Sequence, residues 1–175
     1  IAAMRGTVLQ SLLRGRLVTA VLALQLAACA TSYGPPAGLE PGSSAEEAVR
    51  RMGPPTGRHT LDGGGTRLEF ARGPMGLHTY MLDFDAAGRF LRAEQVLTES
   101  NFYALRPGMT AEEVLRRIGR PSDERFLSRQ QHRLWSYRYE TPFCIWFQVS
   151  IGMDGKVAEL GHNLDPMCEG LEPGW

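Results

Sequence analysis

The sequence has few cysteines, no excess charge of either sign and no long apolar run after its N-terminal segment. Only 3 of its 175 residues are cysteine, and 19 basic residues balance 19 acidic ones. Residues 1–28 contain three arginines and no acid, so the remainder has 16 basic and 19 acidic residues, a net charge of −3. A mildly acidic chain lacks the basic face that nucleic acid requires, so we expect no nucleic-acid partner. No later segment is apolar over a length that could span a bilayer.

Motifs for catalysis, cofactors and metals are also missing. The four histidines are scattered, with no pair four residues apart, and no Gly-x-Ser-x-Gly motif occurs. The three glycines at 63–65 lack the Lys-Ser/Thr of a phosphate loop, so we predict a hairpin turn there. Asp83 is likewise interpreted as a turn residue. We therefore expect no enzymatic activity, no cofactor, no metal and no small-molecule substrate; an enzyme of another type is the remaining alternative.

The N-terminal segment has the three parts of an export signal. Three arginines precede an apolar run at 17–28, which is too short for a stable transmembrane helix. The Leu-Ala-Ala-Cys sequence at 26–29 resembles the lipobox of bacterial lipoproteins. That resemblance implies that residues 1–28 are a signal peptide and that Cys29 is the site of lipid attachment. Two or three acyl chains on Cys29 would hold the protein firmly on a membrane. The alternative is an ordinary signal peptide with an incidental cysteine.

Two features extend the lipoprotein interpretation to a location. Ala30 rather than Asp follows the lipobox, which by analogy with lipoprotein sorting implies the outer membrane, on its periplasmic face. Residues 29–43 lack apolar periodicity and are rich in glycine and proline, so they are predicted to be the lipidated cysteine and a flexible tether.

An internal repeat organises the rest of the chain. Residues 39–56 and 105–122 are identical at 10 of 18 aligned positions. Each copy has a hydroxyl residue, Ser44 or Thr110, three residues before a glutamate, which predicts a capping box, and a glycine that ends the helix. Arginine pairs in the last turns are interpreted as solvated helix ends, with an acidic-partner patch as the alternative.

The segments after each helix alternate apolar and polar residues, which indicates antiparallel strands. A short helix is also predicted at 98–105, before the second capping box, and its equivalent in the first copy falls in the tether. We therefore predict an α+β fold of two tandem helix–helix–antiparallel-sheet units, the first with a degraded first helix. The units are expected at 44–97 and 98–175.

The second copy carries a recognisable series of motifs. Leu-Arg-Pro-Gly-Met-Thr at 105–110, Gly-Arg-Pro at 119–121 and Trp-Ser-Tyr at 135–137 resemble the BamE (SmpA/OmlA) outer membrane lipoprotein domain. The doubled arrangement also resembles the tandem fold of the β-lactamase inhibitor protein. The first resemblance implies a non-catalytic periplasmic lipoprotein that contacts an envelope protein, such as the β-barrel assembly machinery, in outer membrane protein assembly or envelope integrity. The second implies the alternative, an inhibitor of a periplasmic or secreted enzyme.

Cys144 and Cys168 are the cysteines that remain after Cys29. In an oxidising compartment an even pair predicts a disulfide, with two free thiols in a redox or metal site as the alternative.

A possible partner-binding surface lies on the sheet of the second copy. Trp135, Tyr137 and Phe147 are predicted to be core, whereas alternation places Trp146 on the opposite face with Arg138 and Gln148 nearby. Because tryptophan and arginine are enriched at binding hot spots, these three residues form the candidate surface. The alternative is that the other copy or the C-terminal tail covers the tryptophan.

Overall fold

The computed structural model describes residues 38–168, all within one compact unit. The predicted signal peptide, Cys29 and most of the tether lie outside the described residues. The elements in chain order are α1 (Ala45–Met52), β1 (Gly57–Thr60), β2 (Thr66–Ala71), β3 (Thr79–Phe84), β4 (Phe90–Gln95), α2 (Glu99–Tyr103), α3 (Ala111–Ile118), β5 (Asp123–Leu127), β6 (His132–Tyr137), β7 (Ile145–Ile151), β8 (Val157–Leu164) and a 3-10 turn (Pro166–Cys168). Within 38–168, no helix combines the length and hydrophobicity needed to cross a membrane.

The strands form two four-stranded antiparallel sheets, in the orders β1-β2-β3-β4 and β5-β6-β7-β8. The expected α+β class with two helix–helix–sheet units is therefore wrong. Only 18% of the structure is helical, so the protein is mostly β. The first sheet follows a single helix, and the helix that distinguishes the second half, α2, is only five residues long.

The hairpin turn predicted at 63–65 joins β1 to β2, but the sequence pattern did not delimit β1, and it missed β5 in the second sheet. Strand β1 alternates half-buried and exposed residues, and β5 is exposed along its middle. Neither has an apolar face that would mark it as a strand. Each is held at a sheet edge by backbone pairing with its hairpin partner, β2 or β6.

The predicted helix boundaries are confirmed, with one difference between the copies. Ser44 and Thr110 are the N-caps, and each side-chain oxygen accepts a backbone N–H three residues later at 3.2 Å. The full capping box is present only in α3, where Thr110 N–H donates to Glu113. Both helices end at a glycine with φ near +80°, in a conformation with extended ψ that is essentially restricted to glycine.

Each sheet packs one face against helices to form a core. The first core joins α1 to sheet residues Leu68, Phe70, Tyr80, Leu82, Phe84 and Phe90. The second joins α2 and α3 to Trp135, Tyr137, Phe147, Val149 and Ile151, which confirms the three predicted core aromatics. Phe102 of α2 stacks on Phe147 with ring centroids 4.2 Å apart.

The other face of the first sheet, the outer face, is covered by the second half of the molecule. Glu69 is only 2% exposed there, and its carboxylate accepts the backbone N–H of Arg120 at 3.2 Å. The position of a Cβ on Gly119 would lie 2.9 Å from Thr79 and 3.2 Å from Met81, so the α3 terminus packs directly on this face. The repeats therefore stack in series, with the end of α3 on the outer face of the sheet before it.

Candidate functional site

A cleft of about 530 Å³ lies where the two repeats meet. The first repeat contributes the end of β2, the β2–β3 connection and the start of β3. The second contributes the end of α3, the start of β5 and strand β6. The lining includes apolar Ala71, Pro74, Leu97, Leu115, Pro121 and Trp135, and charged Arg120, Asp123, Glu124 and Arg133. This volume falls in the range of small-ligand and peptide pockets, and apolar walls with a few polar groups are typical of them.

Trp135 is the largest side chain in the wall of this cleft. It is 4% exposed, and its Nε1 is buried without a hydrogen-bond partner. The Arg133 guanidinium lies over the indole, with Cζ 5.8 Å from the ring centroid. The indole itself therefore offers little surface, and the Arg133 guanidinium, whose side chain is 46% exposed, forms the accessible part of this wall. Glu124 and Asp123 add negative charge beside it, so the cleft suits a partner segment with an apolar side chain and mixed charge.

Arg138 fixes one side of the cleft. Its Nη1 donates to the carbonyl oxygen of Pro74 in the first repeat at 2.7 Å. Its Nε and Nη2 donate to the Asp165 carboxylate at 2.5 and 2.9 Å, a bidentate ion pair in which both side chains are largely buried. The hydrogen bond from Arg138 is the main cause that holds the pKa of Asp165 below its ordinary value. One arginine thus joins the first repeat, the second sheet and the C-terminal segment.

The three residues predicted as a partner-binding surface do lie together on the outer face of the second sheet. Trp146 is nevertheless only 4% exposed, because Arg138 covers it with Cζ 5.1 Å from the ring centroid. Gln148 donates to the Ser136 hydroxyl at 3.0 Å. Arg138, tied to Asp165 and Pro74, lies over the tryptophan, whereas the alternative had named the other copy or the C-terminal tail as the cover. In this arrangement Trp146 offers a partner little surface.

Cys144 and Cys168 lie at disulfide distance, with Cα atoms 6.2 Å apart. A backbone hydrogen bond also joins the two segments that carry the cysteines: Asp165 N–H donates to the Cys144 carbonyl oxygen at 3.1 Å. A bond between the two sulfurs would fasten the segment 165–168 beside Trp146, where Asp165 orients Arg138. The disulfide remains a proposal, and it can be tested directly.

We expect Cys168→Ser to lower the free energy of unfolding by about 3 kcal/mol, because the bond closes a loop of 24 residues in the unfolded chain. The measurement is urea unfolding of the oxidised wild type, the variant, and the wild type with reductant. Reductant should bring the wild type to the variant's midpoint and leave the variant unchanged. Two thiols that react with a mass label in the unreduced wild type would contradict the disulfide.

A second, polar cleft of about 370 Å³ gathers arginines that the sequence had assigned to a solvated helix end. Arg116 and Arg117 of α3 line it together with Arg67 and Arg92 of the first sheet. Asp83, interpreted from sequence as a turn residue, instead lies buried in β3. It accepts from Arg67 at 2.6 and 2.8 Å and from Arg92 at 2.9 Å.

The charge of this polar cleft is balanced internally. Burial by itself raises the pKa of Asp83, but the hydrogen bonds and charge of Arg67, followed by those of Arg92, outweigh it and hold that pKa below its ordinary value. Arg67 also donates to the Arg116 carbonyl oxygen at 3.1 Å, so this ion-pair cluster joins the repeats. The only sequence signal was an acid and an arginine on neighbouring predicted strands.

Among residues 38–168, no three His, Cys, Asp or Glu side chains lie together as metal ligands would. The inter-repeat cleft is the candidate site that we consider among the described residues, and Cys29, the predicted lipid attachment site, lies outside them. No protein-family model, curated protein or solved structure matches this chain.

Proposed function

We propose that this protein is a non-catalytic lipoprotein of the outer membrane, facing the periplasm, that binds an envelope protein in outer membrane protein assembly or envelope integrity. The lipobox at 26–29 and the BamE-like motifs at 105–121 support the location and the class of function. The proposed function is the binding of a protein, and the proposal does not depend on the α+β fold class that was expected from the sequence.

The inter-repeat cleft is the observation that carries this proposal. Its walls are apolar and its rim carries charges of both signs, which is the layout of a protein-binding surface with an apolar centre and a polar rim. Both repeats build it, and Arg138 and Glu69 fix their relative position through hydrogen bonds between the repeats. A pre-formed cleft binds a partner segment without a large cost of ordering.

A photo-crosslinking amino acid placed at Glu124 in living cells should yield one dominant adduct with an envelope protein. Glu124 lies on the rim of the cleft and is about half exposed, with 49% of its side chain accessible. The matched control position is Met153, which is 74% exposed in the β7–β8 turn and does not line the cleft. Adducts are identified by mass spectrometry after purification of the tagged protein.

The same cells test the lipid anchor. Wild type should incorporate labelled palmitate and Cys29→Ser should not, and the Glu124 adduct should fall sharply in the Cys29→Ser background, because an unanchored protein loses its high local concentration at the membrane. Equal adducts from Glu124 and Met153, or no adduct from either, would contradict the cleft as the binding site. A dominant adduct with a hydrolase, without an envelope defect on deletion, would instead support the inhibitor alternative.

A further inference from the structure

The outer edge of β8 carries backbone groups that no other described segment pairs. Asp165 N–H donates to the Cys144 carbonyl oxygen, so these two residues form a hydrogen-bonded pair of the antiparallel ladder. Because such pairs alternate, the pairs of His162 with Phe147 and Leu160 with Val149 are non-hydrogen-bonded. The N–H and C=O groups of Leu160 and His162 therefore point away from β7, toward the free edge.

The neighbouring residues of β8 agree with this orientation. Leu164 N–H donates to the Asn163 side chain at 3.0 Å rather than to β7. At the other end of the strand, Val157 exchanges two backbone hydrogen bonds of 2.8 Å with the segment 108–109. The edge of β8 thus already accepts one strand-like segment at its start, and no segment within 38–168 pairs with it from Leu160 onward.

From Leu160 onward this edge lacks the charged side chains that the other sheet edges have; the charged residue of β8, Glu159, precedes this stretch. Natural edge strands avoid unwanted pairing by carrying charged side chains. Strand β1 has Arg58, β4 has Arg92 and Glu94, and β5 has an acid–acid–arginine run at 123–125. Residues 160–164 of β8, Leu-Gly-His-Asn-Leu, contain no arginine, lysine, acid or proline, and all but the half-buried Leu160 are exposed.

A hollow of about 140 Å³ lies beside the open edge. It is lined by Leu134, Gln148 and Ser150 of the outer face together with β8 residues from Glu159 to His162. Gly161 lies at its border, and a Cβ there would meet no atom within 4 Å, so the missing side chain leaves open space. A glycine inside a strand often marks a place where another backbone approaches closely. One side chain of an added strand would fit the hollow.

We propose that the edge of β8 from Leu160 to Leu164 binds an extended peptide segment of a partner protein by strand addition, with one of its side chains in the hollow beside Gly161. Backbone hydrogen bonds provide affinity in this mode, and the hollow provides selectivity. A second copy of the chain is disfavoured because the open edge is only about 17 Å long. A two-fold pairing over that length buries far less than the roughly 800 Å² per partner of a stable interface. The inference deepens the proposed function, on which it rests only for the identity of the partner.

His162→Pro and His162→Ala form a matched pair for the test. Proline removes the outward N–H and places its ring against an incoming strand, yet no internal hydrogen bond is lost because that N–H does not face β7. Both variants lose the same imidazole contacts with Phe147, Tyr139 and Glu99. Circular dichroism and thermal melting of both variants establish that they fold alike.

The probe is a phage-displayed library of random dodecapeptides. It is selected on the full chain in detergent micelles and counter-selected on His162→Pro. Selected peptides should bind wild type and His162→Ala with similar affinity and bind His162→Pro at least about tenfold more weakly. The loss of one or two backbone hydrogen bonds and the steric clash with the proline ring together reduce the binding free energy by that amount. In wild type, the bound peptide should slow amide hydrogen exchange at Leu160 and His162.

Three results would overturn the proposal. The first is a selection that yields no peptide able to distinguish wild type from His162→Pro. The second is a peptide that slows exchange elsewhere, for example around the inter-repeat cleft, but not at Leu160 and His162. The third is a dimer that forms without peptide and is abolished by His162→Pro, which would assign the edge to a second copy. None of these results depends on the Glu124 crosslink, so the proposal for the β8 edge and the proposal for the cleft can be refuted independently.

Discussion

Gly119→Ala is expected to lower the free energy of unfolding by about 3 kcal/mol or more. Two costs add at this position. The backbone has φ +78° and ψ −168°, a region essentially restricted to glycine, where an alanine is strained by about 1–3 kcal/mol. The new methyl group would also lie 2.9 Å from Thr79, 3.1 Å from the Glu69 carboxylate carbon and 3.2 Å from Met81, and over-packing of this kind costs about 1–3 kcal/mol. Urea unfolding followed by tryptophan fluorescence measures the change.

Gly155→Ala is the control for a methyl group added at a positive φ without close packing. Gly155 has φ +76° in the β7–β8 turn, but a Cβ there meets nothing within 4 Å. It should therefore show only the strain of about 1–2 kcal/mol. If the two variants were equally destabilised, the α3 terminus would not be packed against the outer face of the first sheet, and the serial stacking of the repeats would be wrong.

Asp83→Asn should be destabilising by about 3 kcal/mol, because it leaves the guanidinium of Arg67 without its counter-charge. Arg67 is only 12% exposed and Asp83 only 7%, and removing one partner of a buried ion pair typically costs 3–5 kcal/mol. Arg92 is 62% exposed, so its pairing with Asp83 adds little. Glu112→Gln, which breaks an exposed pair with Arg116 on α3, is the control and should change stability little.

The pH profile distinguishes charge loss from a general packing defect. The pKa of Asp83 is lower in the folded protein than its ordinary value of 3.8. Its contribution is therefore complete above that value and is lost as the pH falls through the lower, folded-state pKa. The difference in unfolding free energy between wild type and Asp83→Asn should shrink between about pH 5 and pH 2. A difference that stays constant over this range would show that the carboxylate charge is not its source.

Local features of the chain could be predicted because neighbouring residues determine them. The helix starts at Ser44 and Thr110 depend on a hydroxyl and the amide three residues later, and the helix ends depend on one glycine each. Core aromatics such as Trp135 and Tyr137 follow from alternation along a single strand. Each of these signals lies within a few consecutive residues.

The buried polar residues and the candidate cleft depend on contacts between segments that are distant in sequence. The alternation of residues along one strand gives no information about such contacts. Alternation showed that Trp146 faces away from the core, but not that Arg138 covers it. It also gave no reason for Glu69 and Asp83 to be buried, since both lie on the polar face of their strands. That face is buried only because the end of α3, some fifty residues away in sequence, packs on it. The candidate cleft arises from this same packing, so sequence patterns could not locate it.

The burial of Trp146 also distinguishes the outer face of the second sheet from that of the first. In the alignment of the repeats, Trp146 occupies the position of Thr79, the small side chain that lets the Gly119 backbone approach the first sheet. An indole covered by an arginine leaves no room there for another glycine turn. The outer face of the second sheet therefore lacks the seat that the first sheet offers to the end of α3. Seating a glycine turn on this face in the same way would require a smaller residue at 146.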